Sequence, residues 1–273
     1  MSFPPWTYFV GSAVFHYLGP SFAVLLFSRV APLGVAGIRI WSAALVFVLW
    51  RRPWHVLHRG TWRTVVLWGA VLAAMNSAFY MAIARLPLAT VAAIEFLPVI
   101  GIAALGMRTR RNVAALAAAV TGVYVLTDVR LEGEPLGFLF AFANAGLFAL
   151  YVVIAHHAAQ SDAGGIDGLA LAMVAATVFV LPIGGVQAVP VLSDGVALAA
   201  GLGVGISSSV IPYVCDQLAM ARLSRATYAL MVALLPATAT VVGLVVLRQV
   251  PTTAELAGVG LVIAGVALHR GER

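Results

Sequence analysis

The sequence predicts an all-α membrane protein, and three observations carry that prediction. The chain of 273 residues is 62% apolar and only 10% charged, whereas soluble proteins average about 45–50% apolar and about 25% charged residues. Its mean hydropathy is +1.03, so it has too few polar residues to cover a water-exposed globule. Apolar runs recur along the whole chain at about 20 residues, the length of a helix that crosses a bilayer. We therefore expect lipid to face most of the surface.

Ten apolar runs lie between clusters of charged residues, proline and glycine, and each predicts one membrane-spanning helix. In chain order the predicted spans are 6–27, 32–50, 64–84, 87–106, 112–128, 135–155, 166–186, 195–219, 226–247 and 251–268. The first run has neither a basic flank nor a small-residue cleavage site, so we expect it to be retained as a span. The single cysteine, Cys215, lies in an apolar run and excludes a disulfide framework.

The basic residues predict the orientation of these spans. All 16 of them are arginine. Eleven lie on the side that would hold both termini, four lie on the opposite side, and Arg39 lies inside span 2. By the positive-inside rule, this asymmetry places both termini in the cytoplasm. It also explains the net charge of +6 without a nucleic-acid partner.

A weak internal repeat divides the chain into two halves. Residues 85–90 (RLPLAT) open span 4 and resemble residues 222–227 (RLSRAT), which open span 9. The repeat unit is therefore five helices, and because five is odd, the second copy is expected to be inverted in the membrane. Inverted repeats with a binding site between them are common in secondary transporters. The predicted domains are residues 1–130 and 131–273, each a five-helix repeat.

Three charged residues lie deep in predicted spans, where a charge costs at least about 2.5–3.5 kcal/mol on insertion scales. Glu95 stands three residues before Pro98, which opens the helix backbone, so this carboxyl is a candidate proton or amine site. The alternative is a buried structural ion pair between Glu95 and Arg39. Asp216 is the third charge and the second candidate for proton coupling.

Asp216 shares a predicted helix face with Ser209 and Tyr213, at the i, i+4 and i+7 spacing. These side chains would line one wall of a cavity, and the alternative is a helix end at which Asp216 reaches the interface. Other polar residues within the spans are also substrate-binding candidates: His16, Tyr17, Asn76, Tyr80, Asn144, Tyr151 and Tyr228. Singly, each is typical of a hydrogen bond between helices. Together they predict a polar cavity that would bind a small zwitterionic or polar solute.

Enzymatic readings find little support in the sequence. No zinc-binding spacing, Walker-type glycine loop or complete serine-nucleophile motif is present. We therefore expect no catalytic residue, no metal and no cofactor.

Four segments of the spans form a recognisable set: 75–80 (MNSAFY), 93–96 (AIEF), 209–213 (SVIPY) and the span from Ala226 to Pro236. With these segments the chain resembles the drug/metabolite transporter superfamily and, within it, the EamA-type permeases of the threonine and homoserine exporter group. The chain departs from the family pattern at Leu235, where a glutamate commonly precedes the proline, and has the shorter Asp216 in place of a glutamate.

The resemblance implies a multi-pass carrier of the bacterial inner membrane that exports a small amino acid by alternating access. Asn76, Tyr80, Glu95, Tyr213 and Asp216 are the cavity candidates at matching positions. The lipid bilayer and a small-molecule substrate are the implied partners, and the carrier would be a monomer or homodimer. The alternatives are export of aromatic amino acids, nucleosides or drugs, or, in a different class, an intramembrane enzyme or a structural membrane partner.

Overall fold

A computed structural model describes residues 5–59, 61–95, 97–98, 109–128, 134–160, 165–222 and 235–268. This part of the chain is built from helices and turns, and no strand occurs in it. We label the helices α1 (Pro5–Leu26), α2 (Pro32–Arg51), α3 (Trp62–Ile83), α4 (Leu88–Glu95), α5 (Arg110–Asp128), α6 (Pro135–Ala159), α7 (Gly165–Ser193), α8 (Gly195–Met220), α9 (Leu235–Leu247) and α10 (Thr253–Leu268).

Five of these helices are long and apolar enough to cross a membrane: α2, α3, α6, α7 and α8. Shorter apolar helices lie in α1, α9 and α10. Large apolar side chains remain exposed on the outside of the bundle, among them Leu49, Leu192 and Val245, each at least 70% exposed. Such a surface is stable when lipid tails cover it. The prediction of an all-helical membrane protein is therefore confirmed.

Local sequence explains where several helices begin. Pro32 and Pro135 stand in the first turns of α2 and α6, where a missing N–H costs no helical hydrogen bond. Asp194 caps α8 by accepting hydrogen bonds from the N–H groups of Val196 and Ala197, both at 3.0 Å. The backbone N–H of Ala197 and the guanidinium of Arg29 hold the pKa of Asp194 below its ordinary value.

Two helices change form inside the bundle instead of ending. The predicted span 7 ends at 186, but α7 continues to Ser193 through a π-helical turn at Leu181–Gly185 and a 3₁₀ turn at Val189–Ser193. Helix α8 contains a second π-helical turn at Ile206–Val210. The first π turn contains Pro182 and the second lies just before Pro212. Each proline removes one backbone donor and loosens the helical ladder.

The helices pack in a regular set of pairs. Helix α3 lies against α6 and α7, α8 lies against α1 and α2, and α5 packs along α10. Further contacts join α2 to α7, α4 to α6, α4 to α9 and α1 to α9. Small residues allow the closest approaches: a Cβ atom built on Gly19 of α1 would lie 2.8 Å from the backbone nitrogen of Ser208 in α8.

Contacts between helix ends show which connections share one face of the bundle. Arg51 at the end of α2 pairs with Asp167 at the start of α7, 2.6 Å apart, and Arg111 donates to the carbonyl of Leu268 at the end of α10. At the other ends of these helices, Arg29 after α1 pairs with Asp194 before α8. Helices α2 and α7 therefore run in opposite directions, and so do α5 and α10.

Candidate functional site

Six helices bring buried polar side chains together in the middle of the bundle. None of these side chains is more than 7% exposed. They are His16 and Tyr17 of α1, Arg39 of α2, Asn76 and Tyr80 of α3, Glu95 of α4, Asn144 and Tyr151 of α6, and Ser209, Tyr213 and Asp216 of α8. Tyr228, which the sequence also singles out, lies outside the described residues.

The carboxylate of Glu95 receives one donor on each oxygen. The hydroxyl of Tyr17 donates to Oε2 at 3.1 Å, and the Nδ2 amide of Asn144 donates to Oε1 at 3.0 Å. These donors come from α1 and α6, so Glu95 ties together three helices. Hydrogen bonds to a charged group contribute roughly 1.5–3 kcal/mol each, which offsets part of the cost of burying the carboxylate.

The guanidinium of Arg39 is bound at the π-helical turn of α8. Pro212 lacks an N–H, so the carbonyl four residues earlier, on Ser208, has no ordinary helical donor. The Nη2 group of Arg39 donates to that carbonyl at 2.6 Å, and its Nε donates to the Ser209 hydroxyl at 2.7 Å. The irregular turn thereby becomes an acceptor for a buried cation.

Two tyrosine rings flank this cation. The guanidinium carbon of Arg39 lies 5.6 Å from the ring centroid of Tyr80 and 5.9 Å from that of Tyr213, within the range of cation–π attraction. The Tyr213 hydroxyl also lies 3.5 Å from both Arg39 Nη2 and Asn76 Nδ2. Asn76 makes its shorter bond, 2.8 Å, to the carbonyl of Leu72.

Arg39 and Glu95 face one small cavity but do not pair with each other. The cavity measures about 10 Å³ and its polar lining consists of His16, Arg39, Asn76, Glu95, Asn144 and Tyr213. That volume suits about one water molecule. The ion pairs of the described residues are all near helix ends and involve Asp167 or Asp194. The direct Arg39–Glu95 ion pair considered from the sequence is thus not formed.

Four polar atoms of the site have no hydrogen-bond partner among the described residues. His16 Nδ1 and Asn144 Oδ1 belong to residues that line the cavity, and the other two are the hydroxyls of Tyr80 and Tyr151 nearby. A buried polar atom without a partner costs roughly 1–3 kcal/mol. Such atoms are therefore suited to hydrogen-bond a solute that enters the cavity.

Aromatic rings cluster along one side of the site in tilted and edge-to-face arrangements. Ring centroids of Tyr151 and Tyr213 lie 5.5 Å apart, and those of His16 and Tyr17 lie 5.4 Å apart. Phe148 joins this cluster, 5.9 Å from Tyr151 and 6.4 Å from His16. Sequence reasoning missed Phe148, although it lies four residues after Asn144 and so shares the helix face of that amide.

Asp216 belongs to the same group of buried polar residues but does not line the Glu95 cavity. Its Oδ1 accepts a hydrogen bond from the hydroxyl of Ser12 on α1. Ser209 and Tyr213, predicted on the same face as Asp216, instead contact Arg39. Sequence reasoning also missed Ser12, whose only signal is a hydroxyl in an apolar run one helical turn before His16.

No group of three or more metal-ligating side chains occurs in the part of the chain that the structure describes. The groups that the site presents to a solute are hydrogen-bonding side chains, the opposite charges of Arg39 and Glu95, and aromatic rings.

Comparison with known proteins shows that this chain is similar to transporters. The model of the EamA-like transporter family matches residues 135–270. Threonine/homoserine exporters named RhtA, from Escherichia coli strain K12 and from Salmonella typhimurium strain LT2, are each 28% identical over 250 residues, which is 90% of this chain and 84% of theirs.

A known crystal structure shares the fold. It covers 94% of this chain and 93% of its own, with a TM-score of 0.63 at 20% identity. The family and the RhtA relatives are transporters, not enzymes. This agrees with the expectation that the chain has no catalytic residue. From the family match, the relatives that align with 90% of this chain and the apolar helices together, the chain belongs to the EamA-like transporter family of multi-pass membrane proteins.

Proposed function

We propose that this protein is a secondary transporter that exports a small amino acid, such as threonine or homoserine, across a bacterial inner membrane. The observation that carries the proposal is the buried polar cavity between Arg39 and Glu95, which presents opposite charges to one enclosed space. The substrates named for the RhtA relatives support the choice of cargo.

The helix contacts support two inverted five-helix halves, residues 1–130 and 131–273. When every helix is exchanged for the one five positions away, the pairs α3–α6 and α3–α7 become α8–α1 and α8–α2, which also pack together. The pair α4–α6 likewise becomes α9–α1, and the pairs α2–α7, α4–α9 and α5–α10 map onto themselves. This symmetry is expected of inverted repeats, whose binding site lies at their common interface.

The arginine distribution supports an orientation with both termini in the cytoplasm. The face that holds Arg51 and Arg111 would then be cytoplasmic, and the face that holds Arg29 would be periplasmic. Lipid and a small solute are the proposed partners of the carrier, as a monomer or homodimer.

Different site residues are proposed to bind different polar groups of the cargo. Glu95 would bind the ammonium group or a coupling proton, and Asp216 would serve as a second proton site. The remaining polar atoms would be hydrogen-bonded by the hydroxyls of Tyr17, Tyr151 and Tyr213 and by the amides of Asn76 and Asn144. His16, Tyr80, Ser209 and Tyr228 are proposed as further contacts of the cargo.

The size of the cavity supports transport by alternating access. A space of about 10 Å³ is far below that of an amino acid, so cargo would enter only after the halves separate on one side. Because the hydrogen bond from Asn144 to Glu95 joins α6 of the second half to α4 of the first, separation of the halves would rearrange it. A solute that replaces that bond would lower the cost of the change.

Uptake of radiolabelled L-threonine into inside-out vesicles or proteoliposomes tests this function. We expect the wild-type protein to transport it and Glu95→Gln to lower the initial rate at least about tenfold, because the carboxylate charge is lost. Glu134→Gln is the matched control, since Glu134 is an exposed carboxylate at the start of α6. No transport of any amino acid by the wild type, or full transport by Glu95→Gln, would contradict the proposal.

An aromatic amino acid is the second candidate cargo. The observation that favours it is the cluster of rings from His16, Tyr17, Phe148, Tyr151 and Tyr213 beside the cavity, which would stack on an aromatic side chain. Competition of L-tryptophan with labelled L-threonine distinguishes the two: stronger inhibition by tryptophan would favour the aromatic cargo.

A further inference from the structure

Arg39 is a buried cation that forms no direct ion pair with an acidic side chain among the described residues. Its exposed fraction is 3%, and the ion pairs found in that part of the chain do not include it. Its hydrogen-bond acceptors are the Ser208 carbonyl and the hydroxyls of Ser209 and Tyr213, all of which are neutral oxygens. A buried charge that is solvated only by dipoles is suited to receive an anion.

The hydrogen bonds of the guanidinium also leave one side of it available. All the bonds found for it within the described residues come from Nε and Nη2. The Nη1 amino group makes none of these hydrogen bonds, and Arg39 is one of the residues that line the cavity. The guanidinium therefore has donors for an oxyanion in addition to those that hold it on α8.

Glu95 supplies the opposite charge on the same cavity. Its carboxylate is held by Tyr17 and Asn144, while Arg39 is held by α8, so the two charges are fixed by different helices. Within the described residues they do not pair. An α-amino acid carries an ammonium and a carboxylate on one carbon, and it would satisfy both buried charges at once.

We propose that Arg39 binds the carboxylate of the cargo, which restricts the carrier to solutes with a free carboxylate. This inference rests on the proposed function and adds the residue that determines substrate class. In this structure Arg39 is held by the π-helical turn of α8. In the loaded carrier its Nη1 group donates to the cargo carboxylate while Glu95 accepts from the ammonium.

The wild-type protein tests the proposal without any substitution. L-threoninamide has the size and the ammonium of L-threonine but carries a neutral carboxamide in place of the carboxylate. In proteoliposomes we expect it to inhibit L-threonine transport about ten- to hundredfold less effectively than unlabelled L-threonine does, as expected for loss of a charge-assisted hydrogen bond. Equal inhibition by the two compounds would overturn the role of Arg39, whereas absence of any amino-acid transport would instead contradict the proposed function.

Substitutions of Arg39 test whether this residue determines the preference for L-threonine over L-threoninamide. For Arg39→Gln we expect threonine affinity to fall about ten- to hundredfold with little change for threoninamide, measured as ligand-induced thermal stabilisation. Arg39→Lys retains the charge and should retain the preference for threonine. Arg29→Gln is the control, because Arg29 pairs with Asp194 at an exposed helix end and should leave selectivity unchanged. An Arg39→Gln protein that still prefers threonine over threoninamide as strongly as the wild type would refute the assignment.

Discussion

Replacing Gly205 with alanine tests the close approach of α2 and α8 next to the site. A Cβ atom at Gly205 would lie 2.9 Å from the backbone oxygen of Arg39 and would overlap the hydroxyl of Ser42. The Ser42 side chain is able to rotate, although it would lose its bond to the Arg39 carbonyl. The backbone oxygen has no such freedom, so the two helices must separate.

Gly203 provides a matched comparison two residues earlier on α8. A Cβ atom there would meet no atom within 4 Å. Both Gly→Ala changes stand in the same helix and gain a similar helix-propensity benefit of roughly 0.5–1 kcal/mol. Their difference therefore isolates the cost of the overlap, which is about 1–3 kcal/mol for an overpacked interior site.

Thermal unfolding in detergent measures the difference in stability between the two variants. A thiol-reactive fluorophore follows unfolding by reporting the exposure of Cys215, the single cysteine. We expect Gly205→Ala to melt several degrees below Gly203→Ala, since about 1 kcal/mol shifts the melting temperature by roughly 2–4 °C in a chain of this size class. Threonine transport should fall in Gly205→Ala as well, because Arg39 would be displaced. Equal melting temperatures for the two variants would refute the close α2–α8 packing.

Three further substitutions test separate parts of the structure. Tyr17→Phe keeps the ring but removes the donor to Glu95, so threonine transport should fall about tenfold; unchanged transport would remove Tyr17 from the site. Asp194→Asn keeps the helix cap but removes the charge. Because the pKa of Asp194 is lowered in the folded protein, its charge should stabilise the wild type above about pH 4, and this stabilisation should disappear as acid protonates the carboxylate. A melting-temperature difference between wild type and Asp194→Asn that grows in acid would contradict this. Glu255→Ala removes a carboxylate that accepts from the N–H of Thr252 at 2.8 Å, so unfolding should become easier by about 0.5–2 kcal/mol while transport selectivity stays the same.

Much of the helical architecture followed from local sequence. The predicted spans 32–50 and 135–155 correspond to α2 and α6, whose first turns carry Pro32 and Pro135. The predicted end of span 7 is misplaced, because Gly185 and Pro190 resemble helix terminators. The backbone instead changes to π and 3₁₀ turns, since packing against α2 stabilises a helix that its local propensity would end.

The residues of the site were found more readily than their contacts. A charge or amide in a long apolar run is costly in lipid, so Arg39, Glu95 and Asn144 stand out in the sequence alone. Their partners depend on which helices meet: Glu95 and Asn144 are 49 positions apart, and Arg39 and Ser208 are 169 positions apart. No local pattern specifies such distant pairs.

By itself, the sequence determined that this protein is a helical membrane protein with polar groups inside the helices, because hydropathy and the length of an apolar run are properties of a single helix. Only the tertiary structure decided that Arg39 binds the π-helical turn of α8 and not Glu95, and that Asp216 bonds to Ser12 and does not line the cavity. The physical reason is that both outcomes depend on close packing between helices. That packing, with glycine at the contact of α2 and α8, leaves two opposite charges facing one cavity without joining them.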